Sequence, residues 1–203
     1  MAALCATDPL FAFFAALPDP DVDIEACIEE AERAFDELGA VGVGMFTSYG
    51  QAHTTFPGDA SFESLWAFLN ERGTLPFIAQ APASHGARQA RHHPECGILT
   101  PLWWPFAEED PAEFMALARS FYFDTALSGD PLVMQTLASF LGEEAHAQRV
   151  LYATDFPFVP HPAVQLQDAG LNAYLETTGS DDVSEAICHG NAEALFPQLG
   201  STA

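Results

Sequence analysis

The feature that most constrains the fold is a repeated alternation of short apolar segments with longer amphipathic ones. The apolar segments have the β-branched and aromatic content of buried strands, and each precedes a helical pattern. Strand-then-helix units repeated along one chain favour a parallel sheet with right-handed crossovers and outer helices. The sequence therefore predicts an α/β fold with about five parallel strands, at residues 10–17, 41–46, 75–79, 121–126 and 150–155.

Capping residues mark where the helices begin and end. Asp21 or Asp23 can cap the first helix, and Gly39 suits the left-handed position after its last residue. Two later helices open with a proline directly after an aspartate, at residues 110–111 and 130–131. The predicted helices cover residues 24–38, 61–72, 113–119, 130–141, 162–177 and 184–195.

Length and charge exclude several classes of protein. The 203 residues suit one domain, and no apolar run is long enough for a membrane span. The chain has 29 acidic residues, six arginine or lysine residues in total and a net charge of −23, so we expect no nucleic-acid partner. Its four cysteines lie far apart and predict neither a structural zinc site nor a disulfide framework, and we expect a cytoplasmic protein.

Asp155 stands out as a candidate site residue. It follows the apolar run of the fifth strand in the stretch LYATDFPF, and Pro157 ends the strand because proline cannot donate to a sheet ladder. A carboxylate at the C-terminal end of a strand is a site candidate in an α/β protein. The alternative is that Asp155 only caps the loop that follows.

Several segments together resemble one family. They are FAFFAALPDPDVDIEACIEEAERAFDELGAVGVGMFTSYG, SFESLWAFLNERG, FYFDTALSGDP, LYATDFPF and GNAEALFPQL. In this order they resemble the amidohydrolase-related decarboxylases of the aminocarboxymuconate-semialdehyde and 6-methylsalicylate decarboxylase type. The resemblance implies a (β/α)8 TIM-barrel-like fold, a site at the C-terminal strand ends, and a divalent metal, zinc or manganese, that holds an aromatic or dienyl carboxylate.

The resemblance also implies roles for two aspartates and shows what is missing. Asp155 matches the aspartate of the family's last strand, which implies a catalytic residue and metal ligand. Asp124 ends the fourth strand and matches a position in the substrate pocket; the alternative is a carboxylate that only accepts hydrogen bonds from the amides of its own loop. The family's His-x-His pair and His-Gly-Gly motif have no counterpart, and Ala79 stands at a further ligand position. The strands match the family's third, fourth, fifth, seventh and eighth, which predicts one domain at residues 1–203 with an incomplete barrel.

The expected function follows from this resemblance. The family decarboxylates small aromatic or unsaturated carboxylic acids such as 6-methylsalicylate, and we expect this chain to be weak or inactive because the metal-binding histidines are missing. The alternatives are a non-catalytic truncated paralogue and a metal-dependent hydrolase of the same family. The expected partners are a small carboxylic acid and a second copy of the chain, since an open barrel leaves an apolar sheet face uncovered.

Other candidates lie in loops. His53 follows the second strand, and His92, His93 and Cys96 lie in the irregular segment 80–109. These three have suitable chemistry for a metal, but neighbouring side chains of an extended loop point apart, so a solvated loop is the simpler interpretation. Trp103 and Trp104 of the same segment could stack on an aromatic ring or fill a hydrophobic gap.

Overall fold

The computed structural model describes residues 1–50, 54–79 and 110–197. The described residues up to Ala79 belong to one compact unit and those from Asp110 onwards to a second. No helix in this part of the chain is both long and apolar enough to cross a membrane. His53, His92, His93, Cys96, Trp103 and Trp104 lie outside the described residues.

The first unit is a three-stranded parallel sheet with helices. Its strands pair in the order β1, β2, β3, with Phe14 opposite Gly42 and Gly42 opposite Leu75. The elements are α1 (Ala2–Cys5), β1 (Phe14–Ala16), α2 (Ile24–Leu38), β2 (Gly42–Phe46), a 3-10 turn (Ala60–Phe62), α3 (Glu63–Arg72) and β3 (Leu75–Ala79).

One face of this sheet carries the hydrophobic core of the first unit. The α2 helix begins at Asp23, whose carboxylate accepts a hydrogen bond from the Ala26 amide at 3.0 Å, and ends before Gly39, which has a φ of 73°. The buried residues of α2, α3 and β2 pack together here, and they include Ala31, Ala34, Val43, Met45, Leu65 and Leu69. This packing explains why α2 has small residues on its buried face.

The opposite face of the sheet is apolar and exposed. Phe46, Leu75 and Phe77 are 42, 42 and 44% exposed, and the rings of Phe14 and Phe77 are 5.6 Å apart. Side chains alternate between the two faces of a strand, so these residues lie opposite buried Val43 and Met45. Within the described residues of the first unit these exposed apolar side chains agree with an open sheet, and the homo-oligomer stays a prediction.

The second unit pairs two short parallel strands and packs helices around them. In β4 and β5, Phe123 lies opposite Val150 and Asp124 opposite Leu151. The elements are α4 (Pro111–Ala118), β4 (Phe123–Asp124), α5 (Pro131–Leu141), α6 (Glu143–Arg149), β5 (Val150–Leu151), α7 (His161–Thr178), α8 (Asp181–Glu185), a π-helix (Ala186–Gly190) and α9 (Asn191–Leu195).

The core of the second unit forms between α5, α7, β5 and the π-helix. Its buried residues are Met134, Leu141, Val150, Leu171, Tyr174, Leu175 and Ile187. The α5 helix begins at Asp130, whose carboxylate accepts from the Leu132 amide at 2.9 Å, with Pro131 in the first turn. The aspartate-proline signal in the sequence therefore marked this helix start correctly.

The observed strands are shorter than the sequence predicts, and they pair in two sheets. The predicted segments 10–17, 121–126 and 150–155 contain strands of three, two and two residues. After β5 the Ala153 amide donates to the hydroxyl of Thr125 at 3.0 Å. A side chain, and not a main-chain oxygen of the neighbouring strand, therefore accepts the hydrogen bond that would extend the sheet. Residues 75–79 and the helix 24–38 match the prediction in full, whereas α1 and α6 were not predicted.

A buried histidine makes the stability of the second unit depend on pH. His146 is 3% exposed, its Nε2 atom lies 3.4 Å from the Tyr174 hydroxyl, and burial lowers its pKa. The unfolded chain then binds the proton more tightly than the folded chain, so the free energy of unfolding should fall as the pH drops below about 6.5.

We expect His146→Phe to remove part of this acid sensitivity. Urea unfolding, followed by circular dichroism near pH 7.5 and near pH 5.5, should show a smaller difference for the variant than for the original chain. His189 is exposed and pairs with Glu193, so His189→Phe is the control and should leave the difference nearly unchanged. An equal response of the two variants would contradict the role of burial.

Candidate active site at two strand ends

Two aspartates lie near the C-terminal ends of neighbouring parallel strands. Asp124 is the last residue of β4, and Asp155 follows β5 by four residues. Parallel strands end at the same edge of a sheet, which brings the two loops together. Asp124 lies opposite Leu151, and the Thr125 amide donates to the Leu151 oxygen at 3.0 Å, so the two strand ends are joined directly before the two loops.

The surroundings of Asp124 favour its protonated form. Burial makes the largest contribution and raises the pKa of the carboxyl, while a hydrogen bond from the Ala126 amide to Oδ1, at 2.9 Å, opposes this. The charge of Asp155 adds to the effect of burial, and the net shift is upward. A carboxyl with a raised pKa beside a second carboxylate is the usual arrangement of groups that share or transfer a proton.

Asp155 has an unusual backbone conformation. Its φ is 58°, in the left-handed region that aspartate adopts more readily than most residues, and its main-chain oxygen accepts from Phe158 and Val159 at 2.9 and 3.1 Å. The Thr154 hydroxyl accepts a hydrogen bond from the Phe156 amide at 3.3 Å, so the side chain of Thr154 caps the start of this loop. Backbone strain of this kind is often found at functional sites.

Thr125 joins the two strand-end loops. It is fully buried, and its hydroxyl donates to the Ala153 oxygen at 3.1 Å and accepts from the Ala153 amide at 3.0 Å. Gln167 of α7 also reaches both loops, through Ala153 and Leu127. Neither residue was predicted from the sequence, although Gln167 lies one helical turn before the buried Leu171, where an apolar residue is usual.

The α7 helix approaches the loop after β4 very closely. A β-carbon at Gly129 would lie 2.7 Å from the main-chain oxygen of Gln167, and one at Gly170 would lie 2.9 Å from the oxygen of Gly129. Both glycines therefore allow the backbones of the helix and the loop to touch.

We expect Gly129→Ala to lower the free energy of unfolding by about 1–3 kcal/mol, because the backbone of α7 must move to admit the methyl group. Gly58→Ala is the matched control, since its β-carbon would meet no atom within 4 Å, and it should change stability by less than about 0.5 kcal/mol. Urea unfolding of both variants measures the difference. Similar values for the two would mean that the close approach is not required.

The described residues do not form a complete metal site. No group of three or more histidine, cysteine, aspartate or glutamate side chains comes together within residues 1–50, 54–79 and 110–197. Carboxylate oxygens suit manganese, and zinc accepts them beside nitrogen or sulfur ligands, so Asp155 has suitable chemistry for one ligand. Protein zinc sites need about three or four ligands, and the described residues do not supply them.

The fold and the position of the two carboxylates indicate a class of protein. Parallel strands followed by helices, with carboxylates at the C-terminal strand ends, are the arrangement of barrel-type proteins that form their sites at that edge. A family model described as Amidohydrolase matches residues 1–198. The chain belongs to this amidohydrolase family.

Curated relatives are longer than this chain. The 6-methylsalicylic acid decarboxylase of Penicillium expansum is 28% identical over 93% of this chain and 69% of its own length. The decarboxylase yanB of Aspergillus niger is 28% identical over 93% of this chain and 64% of its own length. This chain thus spans about two thirds of the length of both relatives.

Solved structures show the same fold. A 2,6-dihydroxybenzoate decarboxylase complexed with 2,6-dihydroxybenzoate is 20% identical, with a TM-score of 0.71 over 97% of this chain and 74% of that protein. A dihydroxybenzoic acid decarboxylase from Polaromonas, with bound manganese and the inhibitor 2-nitroresorcinol, is 20% identical, with a TM-score of 0.69 over 97% and 72%. The predicted fold class is confirmed as TIM-barrel type, and the described residues form five parallel strands, fewer than the eight of a closed barrel.

Proposed function

We propose that this chain is a carboxy-lyase that releases carbon dioxide from a small aromatic carboxylic acid resembling 6-methylsalicylate. The observation that carries the proposal is the position of two carboxylates, Asp124 and Asp155, at or shortly after the C-terminal ends of neighbouring parallel strands. The relatives that are named as decarboxylases of such acids support the choice of substrate.

The reaction needs one proton at a defined carbon. The bond between the ring and the carboxylate breaks, carbon dioxide leaves, and the ring carbon takes a proton in its place. We assign this proton transfer to Asp155. Asp155 passes a proton from water to the ring carbon as carbon dioxide leaves, and the remaining hydroxide combines with the carbon dioxide as bicarbonate.

Asp124 is assigned to the substrate carboxylate. When protonated, its carboxyl donates a hydrogen bond to the anion, whereas the ionised form would repel it. Burial and the charge of Asp155 raise the pKa of Asp124, so this carboxyl keeps its proton to a higher pH than a free aspartate does.

A divalent metal, zinc or manganese, would neutralise and orient the substrate carboxylate when bound. By resemblance to the family, Asp155 would be one of its ligands. The same carboxylate then has two competing roles, and Ala79 stands where the family has a further ligand. Without a metal to neutralise the substrate carboxylate, a chain with a net charge of −23 repels an anionic substrate. For these reasons we propose that turnover is weak.

Carbon dioxide release tests the proposed function. The chain is incubated with 6-methylsalicylate or 2,6-dihydroxybenzoate, with and without added manganese or zinc, and the arene product is measured by chromatography. We expect slow release from at least one acid. Binding of the acids without release would instead favour the non-catalytic alternative, and cleavage of an aromatic lactone would favour the hydrolase. Failure to bind or convert any of them would contradict the proposal.

A further inference from the structure

Each of the two strand-end loops contains a residue in the left-handed region. Leu127 has a φ of 56° and Asp155 a φ of 58°, and among the described residues these are the positive values outside glycine. The Leu127 side chain is 67% exposed, so packing against a core does not hold its backbone in place. A leucine in this conformation is uncommon, and its surroundings must stabilise it.

Gln167 provides hydrogen bonds to both loops. Its Oε1 atom accepts from the Leu127 amide at 2.6 Å, and its Nε2 atom donates to the Ala153 oxygen at 2.6 Å. The side chain of Gln167 is 8% exposed, so water competes little for these bonds. One amide therefore ties the loop after Asp124 to the loop before Asp155.

The close packing of α7 on the loop after β4 holds the side-chain amide of Gln167 in position. The helix that carries Gln167 contacts the loop backbone at Gly129, where no side chain could fit between them. Thr125 fixes the same Ala153 from the side of β4. Gln167 therefore connects α7, which packs directly on the loop after β4, to two loops that Thr125 also connects. Asp155 lies two residues beyond Ala153.

We propose that Gln167 is a positioning residue that holds Asp124 and Asp155 at a fixed separation. The catalytic part of this inference rests on the proposed function, whereas the separation of the two carboxylates is a property of the free protein. Without the amide, Leu127 and Ala153 lose partners and the two loops can separate, which moves Asp155 away from Asp124.

The test compares Gln167→Met with a control of similar stability. Methionine has about the length of glutamine but provides neither hydrogen bond. Leu175→Ala removes a buried core side chain from the same helix and serves as the control for lost stability. The carboxyl pKa of Asp124 is measured in each protein by carbon-13 NMR titration, and turnover is measured alongside.

In Gln167→Met we expect the pKa of Asp124 to fall towards the ordinary value of 3.8, because the separated loops bury its carboxyl less and the charge of Asp155 moves away. In Leu175→Ala it should stay raised. Turnover should fall by about 100-fold in Gln167→Met, through kcat more than through KM, since misplacement by about 1 Å has this effect on a reacting group.

Two outcomes would overturn the inference. One is an unchanged Asp124 titration in folded Gln167→Met, and the other is an equal change in Leu175→Ala. An original chain that releases no carbon dioxide, but whose Asp124 titration responds to Gln167→Met as expected, would contradict the proposed function and leave the positioning role in place.

Discussion

Asp155→Asn is expected to lower carbon dioxide release by about 100-fold or more while the fold is retained. Asparagine is nearly the same size as aspartate and also adopts the left-handed conformation readily, so the φ of 58° is accommodated. Its amide cannot deliver a proton to the ring carbon, and positioned acid–base groups contribute about 10²–10⁴ to a rate. The loss should therefore appear in turnover, and the melting temperature should not fall.

The control for Asp155→Asn is a charge-matched change elsewhere in the second unit. Asp182 lies in the first turn of α8 and is exposed, so Asp182→Asn removes one negative charge away from the strand ends. Turnover of this control should stay within a factor of about two, because a single exposed charge is screened by salt. Equal rates for Asp155→Asn and the original chain would refute the assignment of Asp155.

Local signals in the sequence predicted the helix starts well. Asp23, Asp110 and Asp130 were expected to cap helices, and each accepts a hydrogen bond from an amide two or three residues later. A cap depends only on its immediate neighbours in the chain, so it can be read from a short stretch. The same holds for Gly39 after α2.

Strand lengths and the support of the site could not be predicted in this way. The β5 strand stops early because the hydroxyl of Thr125, 28 residues away, bonds to Ala153. Gln167 looks like an ordinary helical residue until α7 places it against Leu127, 40 residues away in the chain. Such contacts depend on tertiary packing, which overrides local preference.

The sequence identified Asp124 and Asp155 as candidate site residues, but it did not predict the pKa shift of Asp124 or the backbone conformation of Asp155. Two residues near the ends of neighbouring parallel strands are expected to lie close together, and Asp124 lies opposite Leu151, four residues before Asp155. The upward shift in the pKa of Asp124 depends on burial, and the left-handed backbone of Asp155 depends on the turn to Phe158 and Val159. Neither follows from a strand pattern alone.

Asp124→Asn is expected to stabilise the chain near neutral pH, although it removes a candidate site residue. Burial and the charge of Asp155 raise the folded pKa of Asp124 above its unfolded value of 3.8. The folded chain then binds the proton more tightly, so stability falls as the pH rises through the interval between the two values. Above that interval the folded chain holds an unfavourable charge, which asparagine removes while its Oδ1 can still accept from the Ala126 amide.

The measurement is the melting temperature of both proteins across a range of pH, together with their affinity for an aromatic carboxylate. Near pH 7 the Asp124→Asn variant should melt at a higher temperature than the original chain, and the two should converge below about pH 4. Affinity of the original chain for the anion should weaken as the pH rises through the titration of Asp124, because the protonated carboxyl is the donor that meets the substrate. Asparagine donates at every pH, so the variant should lose this dependence. A lower melting temperature for the variant near pH 7, or an unchanged dependence of its affinity on pH, would show that Asp124 is held as a stabilising anion and not as a proton-bearing partner of Asp155.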